Sequence, residues 1–553
     1  MSTRPSVLVL LLVAAAFASP LAAQSFGDAT TAAGLSGVYL PAPINNSVKI
    51  LTGGMAVADY DGDGWDDVFW LAGATQPNRL YRNDGDGTFT DVAPQVGLDL
   101  AFPGCSAHWA DYDGDGDLDL FVSSLENLGP PAAIAGGGGA GPKTLFPGSG
   151  NNGSPPGGLG VGQQYRNFLF RNDGGTFVDV ALAAGVRQTG RWGQALGDID
   201  GDGWLDLVGL SWNGAGNETA VMRNNGNGTF RRVTPAAMKG AASTWGFTPR
   251  IVDYDLDGDA DLMLVQDIVN THVWRNDGSW QFTDVSDMVD VTNVQNGMGT
   301  AVGDINNDGK LDWFITSIYS TVPLVNEFWG TTGNRLYLNG GNGTFADITD
   351  LAGVRDGGWG WGAQMEDLNH DGRLDIVMVN GYPGPPINPF PMFQTDTLKI
   401  FMNNGGLSFS EQAETLGILD TDEGRGVAVV DFDRDGALDI LVSNNNVIAA
   451  NRGLTLYRGD PGAITGTWIE VELDGAAPNT RALGARITAN AAGLPQQLRV
   501  MEAGNNYLSQ APARVRFGLG SAASVDLTVR WPDGTVVAYP GQAVNQRVVL
   551  AQP

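Results

Sequence analysis

The chain has 553 residues and a formal net charge of −30, from 31 Lys and Arg against 61 Asp and Glu. This charge excludes nucleic acid and anionic membranes as natural partners, because both attract proteins with a positive face. Hydrophobic residues make up 42% of the chain, and the 79 glycines follow no three-residue period, which excludes a disordered chain and a collagen and indicates many tight turns. Cys105 is the only cysteine, so no disulfide can form within the chain.

Residues 1–23 are typical of a secretory signal peptide. Arg4 supplies the positive charge, residues 7–17 form an apolar stretch too short to span a bilayer comfortably, and small residues lead up to Ala23. The alternative is an uncleaved anchor. No later stretch reaches about 18 consecutive apolar residues, so we expect no transmembrane segment in the mature chain and a secreted or periplasmic location.

A nine-residue acidic pattern, D-x-[DN]-x-D-G-x-x-D, occurs seven times and dominates the chain. We call its copies loops 1 to 7 and count positions from the first Asp. Position six is glycine in every copy. Positions one, three, five and nine are Asp59, Asp61, Asp63 and Asp67 in loop 1; Asp111, Asp113, Asp115 and Asp119 in loop 2; Asp198, Asp200, Asp202 and Asp206 in loop 3; Asp253, Asp255, Asp257 and Asp261 in loop 4; Asp304, Asn306, Asp308 and Asp312 in loop 5; Asp367, Asn369, Asp371 and Asp375 in loop 6; and Asp431, Asp433, Asp435 and Asp439 in loop 7.

This spacing of oxygen ligands predicts calcium sites. Ca²⁺ takes roughly six to eight oxygens, alternate Asp and Asn side chains in a curled loop can supply them, and the glycine permits the sharp turn. An EF-hand does not fit, because position twelve is never acidic and the flanking segments are typical of strands. We therefore expect the later carboxylate to come from position nine, and up to seven Ca²⁺ ions. A solvated acidic turn without an ion is the alternative.

A second repeated element follows each loop and predicts an all-β fold. It is an aromatic or aliphatic strand, a Gly- and Asn-rich turn, and then Phe with an acidic-aliphatic pair, as in residues 80–83 and 89–92. Each unit is then four short antiparallel strands, with the acidic loop joining the first two. Repeated units of this kind are typical of a β-propeller, so the sequence predicts a seven-bladed propeller over residues 24–460.

The last unit lacks its fourth strand after residues 456–458, and a matching Phe-x-Asp segment stands at residues 25–30. The sequence therefore predicts that the N-terminal strand completes the seventh blade and closes the ring.

These units resemble the FG-GAP/VCBS-type repeats of integrin α-chain propellers and of many secreted bacterial proteins. The resemblance implies Ca²⁺ at the loop positions given above. The family's Phe-Gly and Gly-Ala-Pro signatures are degraded, and the nearest aromatic-glycine pairs are Trp192-Gly193 and Trp361-Gly362.

Residues 465–550 show alternating apolar residues and many Gly turns, which predicts a small all-β domain. This region resembles the ASPIC/UnbV domain, and a propeller followed by that domain is the layout of cartilage-acidic-protein-like proteins. The segments that carry the resemblance are Trp468-Ile469-Glu470-Val471, Ala485-Arg486-Ile487, residues 504–509, Phe517-Gly518-Leu519-Gly520 and residues 529–534.

Three long insertions, at residues 126–164, 317–333 and 380–397, fall between the second and third strands of their units. Because antiparallel strands alternate in direction, we expect these insertions on the face opposite the acidic loops. Aromatic side chains there suit protein or sugar contacts, and packing onto the propeller is the alternative. The candidate ligand-binding residues are Tyr319, Phe328, Trp329, Tyr382, Phe390 and Phe393.

The sequence carries none of the familiar hydrolase, P-loop or zinc-protease motifs. His108, His272 and His370 are far apart in the repeat, and we expect each to be structural, with His370 facing solvent. The leading hypothesis is an exported, non-enzymatic calcium-binding propeller that recognises or adheres to an extracellular protein or glycan. The alternative is a secreted polysaccharide lyase or hydrolase on the same scaffold.

Overall fold

The fold, seen in a computed structural model, consists almost wholly of short antiparallel strands. The structure describes residues 25–39, 52–73, 76–124, 143–144, 167–187, 192–211, 219–239, 245–267, 271–292, 296–322, 330–341, 343–382, 391–445, 453–503 and 506–553. The predicted signal peptide lies outside these residues. None of the described helices is both long and apolar enough to cross a membrane.

The described residues include seven antiparallel sheets of four strands each, one for each acidic loop, and we call these sheets blades. This arrangement confirms the predicted β-propeller. From the innermost to the outermost strand, the blades are β2 (Met55–Ala58), β3 (Asp67–Trp70), β4 (Arg79–Asn83) and β5 (Phe89–Asp91); β7 (Gly104–Ala110), β8 (Asp119–Ser124), β10 (Phe168–Asn172) and β11 (Phe177–Asp179); β12 (Gln194–Gly197), β13 (Asp206–Gly209), β14 (Ala220–Asn224) and β15 (Phe230–Arg232); β16 (Gly246–Val252), β17 (Asp261–Gln266), β18 (His272–Asn276) and β19 (Phe282–Asp284); β20 (Thr300–Gly303), β21 (Asp312–Ile315), β22 (Arg335–Asn339) and β23 (Phe345–Asp347); β24 (Gly360–Glu366), β25 (Asp375–Asn380), β26 (Lys399–Asn403) and β27 (Phe409–Glu411); and β28 (Gly424–Val430), β29 (Asp439–Asn444), β30 (Leu454–Gly459) and β1 (Phe26–Asp28).

The seventh blade takes its outermost strand from the beginning of the described chain. Strand β1 pairs antiparallel with β30, and Phe26 lies opposite Gly459. Phe26 and Leu35 are buried, so the segment is packed as well as hydrogen-bonded. This pairing confirms the predicted closure of the last blade, and it leaves β30 without an open edge.

The turns between the second and third strands of a blade lie at the end opposite the acidic loops, as the antiparallel order requires. The three insertions occupy such turns, between β8 and β10, β21 and β22, and β25 and β26. Most of the first insertion is outside the described residues. Minor elements outside the blades are β6 (Leu100–Ala101) paired in parallel with β9 (Lys143–Thr144), and the single-turn helices α1 (Ala93–Val96) and α2 (Thr349–Ala352).

A C-terminal β domain follows the propeller and consists of two sheets. Its buried apolar residues, including Ile469, Ile487 and Phe517, form one continuous cluster with Leu196 and Leu205 of the third blade. The domain therefore packs directly on the propeller. Its strands are β31 (Thr467–Asp474), β35 (Val515–Gly520) and β38 (Gln546–Ala551) in one sheet, and β32 (Arg486–Ala491), β33 (Gln497–Val500), β36 (Ser524–Arg530) and β37 (Val536–Ala543) in the other.

One loop of this domain enters the centre of the propeller. We call residues 501–512 the plug segment; its described residues are 501–503 and 506–512. Its short strand β34 (Ser509–Gln510) pairs in parallel with β2, and Gln510 exchanges hydrogen bonds with the Trp109 backbone at 2.6 and 2.9 Å. The plug segment also bonds to inner-strand residues of the third, fourth, sixth and seventh blades, namely Leu196, Arg250, Ala363 and Val427.

The plug segment also approaches the fifth blade at Gly299, directly before β20. A Cβ on Gly299 would clash with the Trp361 carbonyl oxygen of the sixth blade and would stand 2.7 Å from the Asn506 carbonyl oxygen of the plug segment. At its tip, Tyr507 packs against Trp361 and Phe247, with ring centroids 5.1 and 5.4 Å apart. These two aromatic residues stand at the starts of β24 and β16, away from the acidic loops. The plug segment therefore reaches through the channel and contacts every blade.

Candidate metal centres

Each acidic loop joins the two inner strands of its blade and is curled by a hydrogen bond to its own first carboxylate. In loop 1, the Gly64 N–H donates to Asp59 Oδ2 at 2.9 Å, and Gly64 has φ +92°, a conformation that glycine adopts readily. This bond turns the alternate side chains toward a common centre. The same bond, with N···O distances of 2.7 to 3.1 Å, is made by Gly116, Gly203, Gly258, Gly309, Gly372 and Gly436.

The aspartate at position nine has a role that sequence reasoning missed. Asp67 is 0% exposed, and its two carboxylate oxygens accept the N–H groups of Tyr60 and Asn83 at 3.1 and 2.8 Å. It therefore ties the loop to the third strand of the blade. Each oxygen keeps a second lone pair, so the predicted role as a metal ligand remains open. The equivalent aspartates, with the same two backbone bonds, are Asp119, Asp206, Asp261, Asp312, Asp375 and Asp439.

Burial makes these ninth-position carboxyls weak acids when no cation is near. Burial raises the pKa of Asp67 to about 8 and that of Asp261 to about 9, although backbone hydrogen bonds act in the opposite direction. A buried carboxylate is stable at neutral pH only beside a compensating charge. A cation in the loop would provide that charge.

Five loops bring three carboxylates together within reach of one ion. Their oxygens lie within 4.8 Å of one another in the groups Asp59, Asp61 and Asp67; Asp111, Asp113 and Asp115; Asp198, Asp200 and Asp206; Asp253, Asp255 and Asp261; and Asp431, Asp433 and Asp435. The same five loops hold buried carboxylate oxygens with no hydrogen-bond partner among the described residues: Oδ1 of Asp59, Asp113, Asp200, Asp253, Asp431 and Asp433.

A buried, unpartnered carboxylate oxygen is unfavourable, because it has lost its water without gaining a replacement. A hard divalent cation at the loop centre would supply that replacement, and oxygen-only ligand sets of this kind suit Ca²⁺. The residues of loops 1, 2, 3, 4 and 7 therefore fit the ion that their sequence predicts.

Loops 5 and 6 differ from the other five. Each has Asn at position three, and in each a cationic side chain from position seven of the same loop lies on the carboxylate at position five: Lys310 Nζ lies 2.8 Å from Asp308 Oδ2, and Arg373 pairs with Asp371. Each of these two loops therefore offers a metal ion one carboxylate fewer than the other five, and so less negative charge. We therefore expect loops 5 and 6 to bind an ion more weakly than the other five.

An asparagine at the end of the third strand links neighbouring loops, and it was not recognised from the sequence. Asn224 Nδ2 donates to the Tyr112 carbonyl in loop 2 at 2.8 Å, while its N–H donates to Asp206 in loop 3. Loops of adjacent blades thus share one side chain. The asparagines that make the corresponding contact to a preceding loop are Asn83, Asn276, Asn339 and Asn403.

The C-terminal domain sits on the face that carries the acidic loops. Arg514 and Arg547 reach Asp66, at position eight of loop 1, and Arg547 also donates to the Gly64 carbonyl at 3.1 Å. Asp66 is 2% exposed, so these ion pairs are buried. The domain therefore covers part of the loop face, while loop side chains such as Asp61 and Asp63 remain exposed.

Comparison with known protein families agrees with this architecture. The family model described as FG-GAP-like repeat matches residues 59–122, 198–264, 253–315 and 325–378. The model described as ASPIC and UnbV matches residues 475–553. The chain is an FG-GAP-repeat protein with an ASPIC and UnbV domain. Both assignments confirm the resemblances that the sequence motifs indicated.

This FG-GAP-repeat protein is homologous to cartilage acidic protein 1. It is 27% identical to the Mus musculus protein over 440 residues, which covers 65% of each chain, and 27% identical to the Homo sapiens protein over 428 residues, which covers 63% of this chain and 61% of that one. The chain thus spans less than two thirds of the length of these relatives.

Solved structures that are partly similar to this chain include rhamnogalacturonan lyase YesW and the V. cholerae biofilm matrix protein Bap1. YesW has a TM-score of 0.38 at 12% identity, covering 73% of this chain and 71% of its own. Bap1 has a TM-score of 0.33 at 11% identity, covering 93% and 62%. Likenesses at this level carry no argument about function.

The structure places three of the six predicted ligand-binding residues. Phe393 is 2% exposed and packs edge-on against Trp359, with centroids 5.3 Å apart, while Tyr382 stacks on Trp359 at 3.9 Å. Phe393 therefore packs its insertion onto the sixth blade. Tyr382 and Tyr319 are partly exposed. Phe328, Trp329 and Phe390 lie outside the described residues.

Two histidines are buried, and one of them corrects an expectation. His370 is 0% exposed and lies 6.4 Å from the Trp468 ring of the C-terminal domain, so the prediction that it faces solvent is wrong. Burial lowers the pKa of His108 and of His370 to about 3, which keeps both neutral. A partner domain that covers a loop leaves no local sign in the sequence of that loop.

Proposed function

We propose that this protein is an exported, calcium-binding β-propeller with a non-enzymatic role in recognition or adhesion. The observation that carries the calcium assignment is that each of loops 1, 2, 3, 4 and 7 holds a buried carboxylate oxygen with no hydrogen-bond partner among the described residues. A mere acidic turn would direct those oxygens to water. The loop sequences alone predict up to seven ions, and the side-chain contacts favour five strong sites and two weak ones.

Calcium should stabilise the fold substantially. An ion at ten times its Kd adds about 1.4 kcal/mol per site, so five sites add about 7 kcal/mol, which is comparable to the stability of a whole domain, about 5–15 kcal/mol. Calorimetric titration should find five tight sites, and the melting temperature should fall when calcium is removed. An unchanged melting temperature in chelator at low ionic strength would reject the calcium assignment.

Export and an extracellular partner are supported by the signal-like residues 1–23 and by the net charge of −30. A calcium-dependent fold suits compartments where calcium is plentiful. The location is tested by fractionation of cells that express the full chain: recovery of the protein inside the cytoplasm with residues 1–23 intact would contradict it.

The ligand face that we propose is the one opposite the acidic loops, because the C-terminal domain covers part of the loop face. Tyr382 lies on the opposite face with part of its ring exposed, and Trp329 belongs to the neighbouring insertion. Screening of immobilised glycans and extracellular proteins should identify a ligand. Tyr382→Ala and Trp329→Ala should both weaken its binding, and Tyr382→Ala should also lower the melting temperature because the Tyr382 ring stacks on Trp359. Tyr539→Ala, in the C-terminal domain, is the control, and a loss of stability with binding intact would contradict the proposed ligand face.

One observation favours the enzymatic alternative. Glu366 lines a cavity of about 130 Å³ between the inner strands and the plug segment, together with Arg250, Arg499 and Glu502. Burial raises the pKa of Glu366 to about 7, a value suited to general acid–base chemistry. Cleavage of a polysaccharide by the wild type but not by Glu366→Gln would establish this alternative, and a wild type that cleaves none would reject it.

A further inference from the structure

The C-terminal domain supplies a side chain that orients a carboxylate of loop 7. Arg516 Nη1 lies 3.1 Å from Asp431 Oδ2, and Arg516 Nη2 donates to the Gly436 carbonyl at 2.5 Å. Arg516 is 4% exposed and stacks over the Trp468 ring, 3.9 Å from its centroid. The guanidinium group is thus held rigidly at the loop.

This contact determines which oxygen of Asp431 remains for a ligand. Asp431 Oδ2 also accepts the Gly436 N–H at 3.1 Å, while Asp431 Oδ1 is buried and has no partner within the described residues. Asp431 is 3% exposed. Because Oδ2 is held from two sides, Oδ1 is directed toward the group formed with Asp433 and Asp435.

The same first-position oxygen is contacted in two other loops. In loop 2, Thr480 Oγ1 donates to Asp111 Oδ2 at 2.7 Å, Asp111 Oδ1 accepts the Gly114 and Asp115 N–H groups at 2.7 and 3.2 Å, and the buried oxygen that has no partner among the described residues is Asp113 Oδ1. In loop 4, Arg486 Nη2 lies 3.5 Å from Asp253 Oδ2, and Asp253 Oδ1 is buried without a partner in the part of the chain that the structure describes. Three loops therefore receive a donor from the C-terminal domain at the equivalent atom.

Loop 3 offers an internal reference. Its group consists of Asp198, Asp200 and Asp206, and within the described residues no hydrogen bond or ion pair joins these side chains to the C-terminal domain. Asp200 pairs instead with Arg223 of its own blade at 2.8 Å.

We propose that Thr480, Arg486 and Arg516 are positioning residues for calcium in loops 2, 4 and 7. The proposal rests on the proposed calcium function of the loops. Hydrogen bonds that hold a metal-ligating carboxylate in place usually account for about 10–100-fold in metal affinity. Each of loops 2, 4 and 7 has four carboxylates, whose combined negative charge exceeds the positive charge of one Ca²⁺. An arginine beside them therefore does not have to displace the ion.

The coupling acts in both directions, because linkage between two binding events is reciprocal. A domain that holds the carboxylates in place raises calcium affinity, and calcium in the loops stabilises docking of the domain. The ASPIC and UnbV domain is in this way part of the calcium sites of the propeller.

The sharpest test is the pair Thr480→Val and Thr480→Ser in the full chain. Valine has the shape of threonine without the hydroxyl donor, and serine keeps the donor. We expect about 10–100-fold weaker calcium binding at one site for Thr480→Val, near-normal binding for Thr480→Ser, and one fewer ion bound at a calcium concentration that just saturates the wild type.

Arg486→Gln and Arg516→Gln should each weaken one site in the same way. Arg530→Gln is the matched control, because Arg530 is an exposed arginine of the same domain. Calcium is titrated calorimetrically, and hydrogen exchange of residues 506–510 follows docking. Exchange there should be slower with calcium than without it.

The outcomes separate this proposal from the one on which it rests. A wild type that binds no calcium rejects both. A wild type that binds calcium, with Thr480→Val, Arg486→Gln and Arg516→Gln binding it equally well, rejects only the positioning role. Equal exchange of residues 506–510 with and without calcium rejects the reciprocal coupling.

Discussion

Two aspartates of loop 1, Asp61 and Asp67, differ in their exposure to solvent. Asp61 is exposed, whereas Asp67 is buried with both oxygens bonded to backbone N–H groups. We expect Asp67→Asn to destabilise the protein by about 1–3 kcal/mol, because one N–H loses its acceptor. This loss should appear in calcium-free protein.

The matched variant Asp61→Asn should leave the calcium-free protein almost unchanged and weaken calcium binding. Chemical denaturation with calcium and after its removal measures both effects. Equal stability of the two variants in calcium-free protein would contradict the structural role of Asp67.

The ninth-position aspartates also predict how stability depends on pH. Burial raises the pKa of Asp119 and of Asp206 to about 8, and an unfolded Asp has a pKa of about 3.9. The folded, calcium-free protein therefore keeps protons that the unfolded chain releases. Its free energy of unfolding should fall as the pH rises from about 4 to about 8.

Calcium binding should show the opposite trend, because the ion needs ionised carboxylates. Affinity should rise over the same pH window, and binding should release protons. Calorimetry in buffers of different ionisation enthalpy measures that release. Calcium binding without proton release near neutral pH would show that these carboxyls are already ionised.

At this scale the acidic loops and their glycine turns could be predicted, because nine neighbouring residues specify them. The backbone bonds of Asp67 could not, since Asn83 lies across the blade. The burial of His370 was missed for a similar reason: Trp468, which covers it, belongs to another domain and is 98 positions away in the chain.

At the scale of single elements, β1 is the strand whose loss should matter most. Leu35, just after it, is 0% exposed, and Val38 is 44% exposed. Leu35→Ala should cost about 2–5 kcal/mol, whereas Val38→Ala should change stability by less than about 0.5 kcal/mol. Urea denaturation compares them, and a small loss for Leu35→Ala would show that the segment after β1 contributes little to the packing between the first and seventh blades.

The blades could be predicted because each repeats the same pattern of strands and turns. Strand β1 could be predicted because the seventh unit lacks a Phe-x-Asp segment after β30 and a matching segment stands at the N-terminal end. Strand β34 could not be predicted in the same way. Its two residues, Ser509 and Gln510, have no strand periodicity, and they are extended because β2 offers an open inner edge.

At the scale of the whole molecule, the plug segment should stabilise the propeller as a unit. Tyr507 is 0% exposed between Trp361 and Phe247, and Tyr539 lies partly exposed in the C-terminal domain. Tyr507→Ala should cost about 3–5 kcal/mol, as deletion of a buried aromatic ring does. Tyr539→Ala should cost much less. Thermal unfolding tests both, and similar losses would contradict a central role for the plug segment.

The position of the C-terminal domain was not predictable from the chain. Arg514, Arg516 and Arg547 resemble ordinary surface charges in the sequence, and their acidic partners are distant. Only the assembled fold brings Arg514 to Asp66 and Arg516 to Asp431.

The position of the plug segment in the chain also determines how late in synthesis folding can be completed. The pairing of β1 with β30 joins residues more than 400 positions apart, and the channel is filled by residues near position 507. During synthesis the seven blades emerge before the segment that fills their centre, so every intermediate up to that point has an open, partly apolar channel. Contacts this distant in sequence form slowly, and such intermediates are prone to aggregation. The native state thus becomes accessible only after nearly the whole chain has left the ribosome, which is compatible with the export that we propose for this protein.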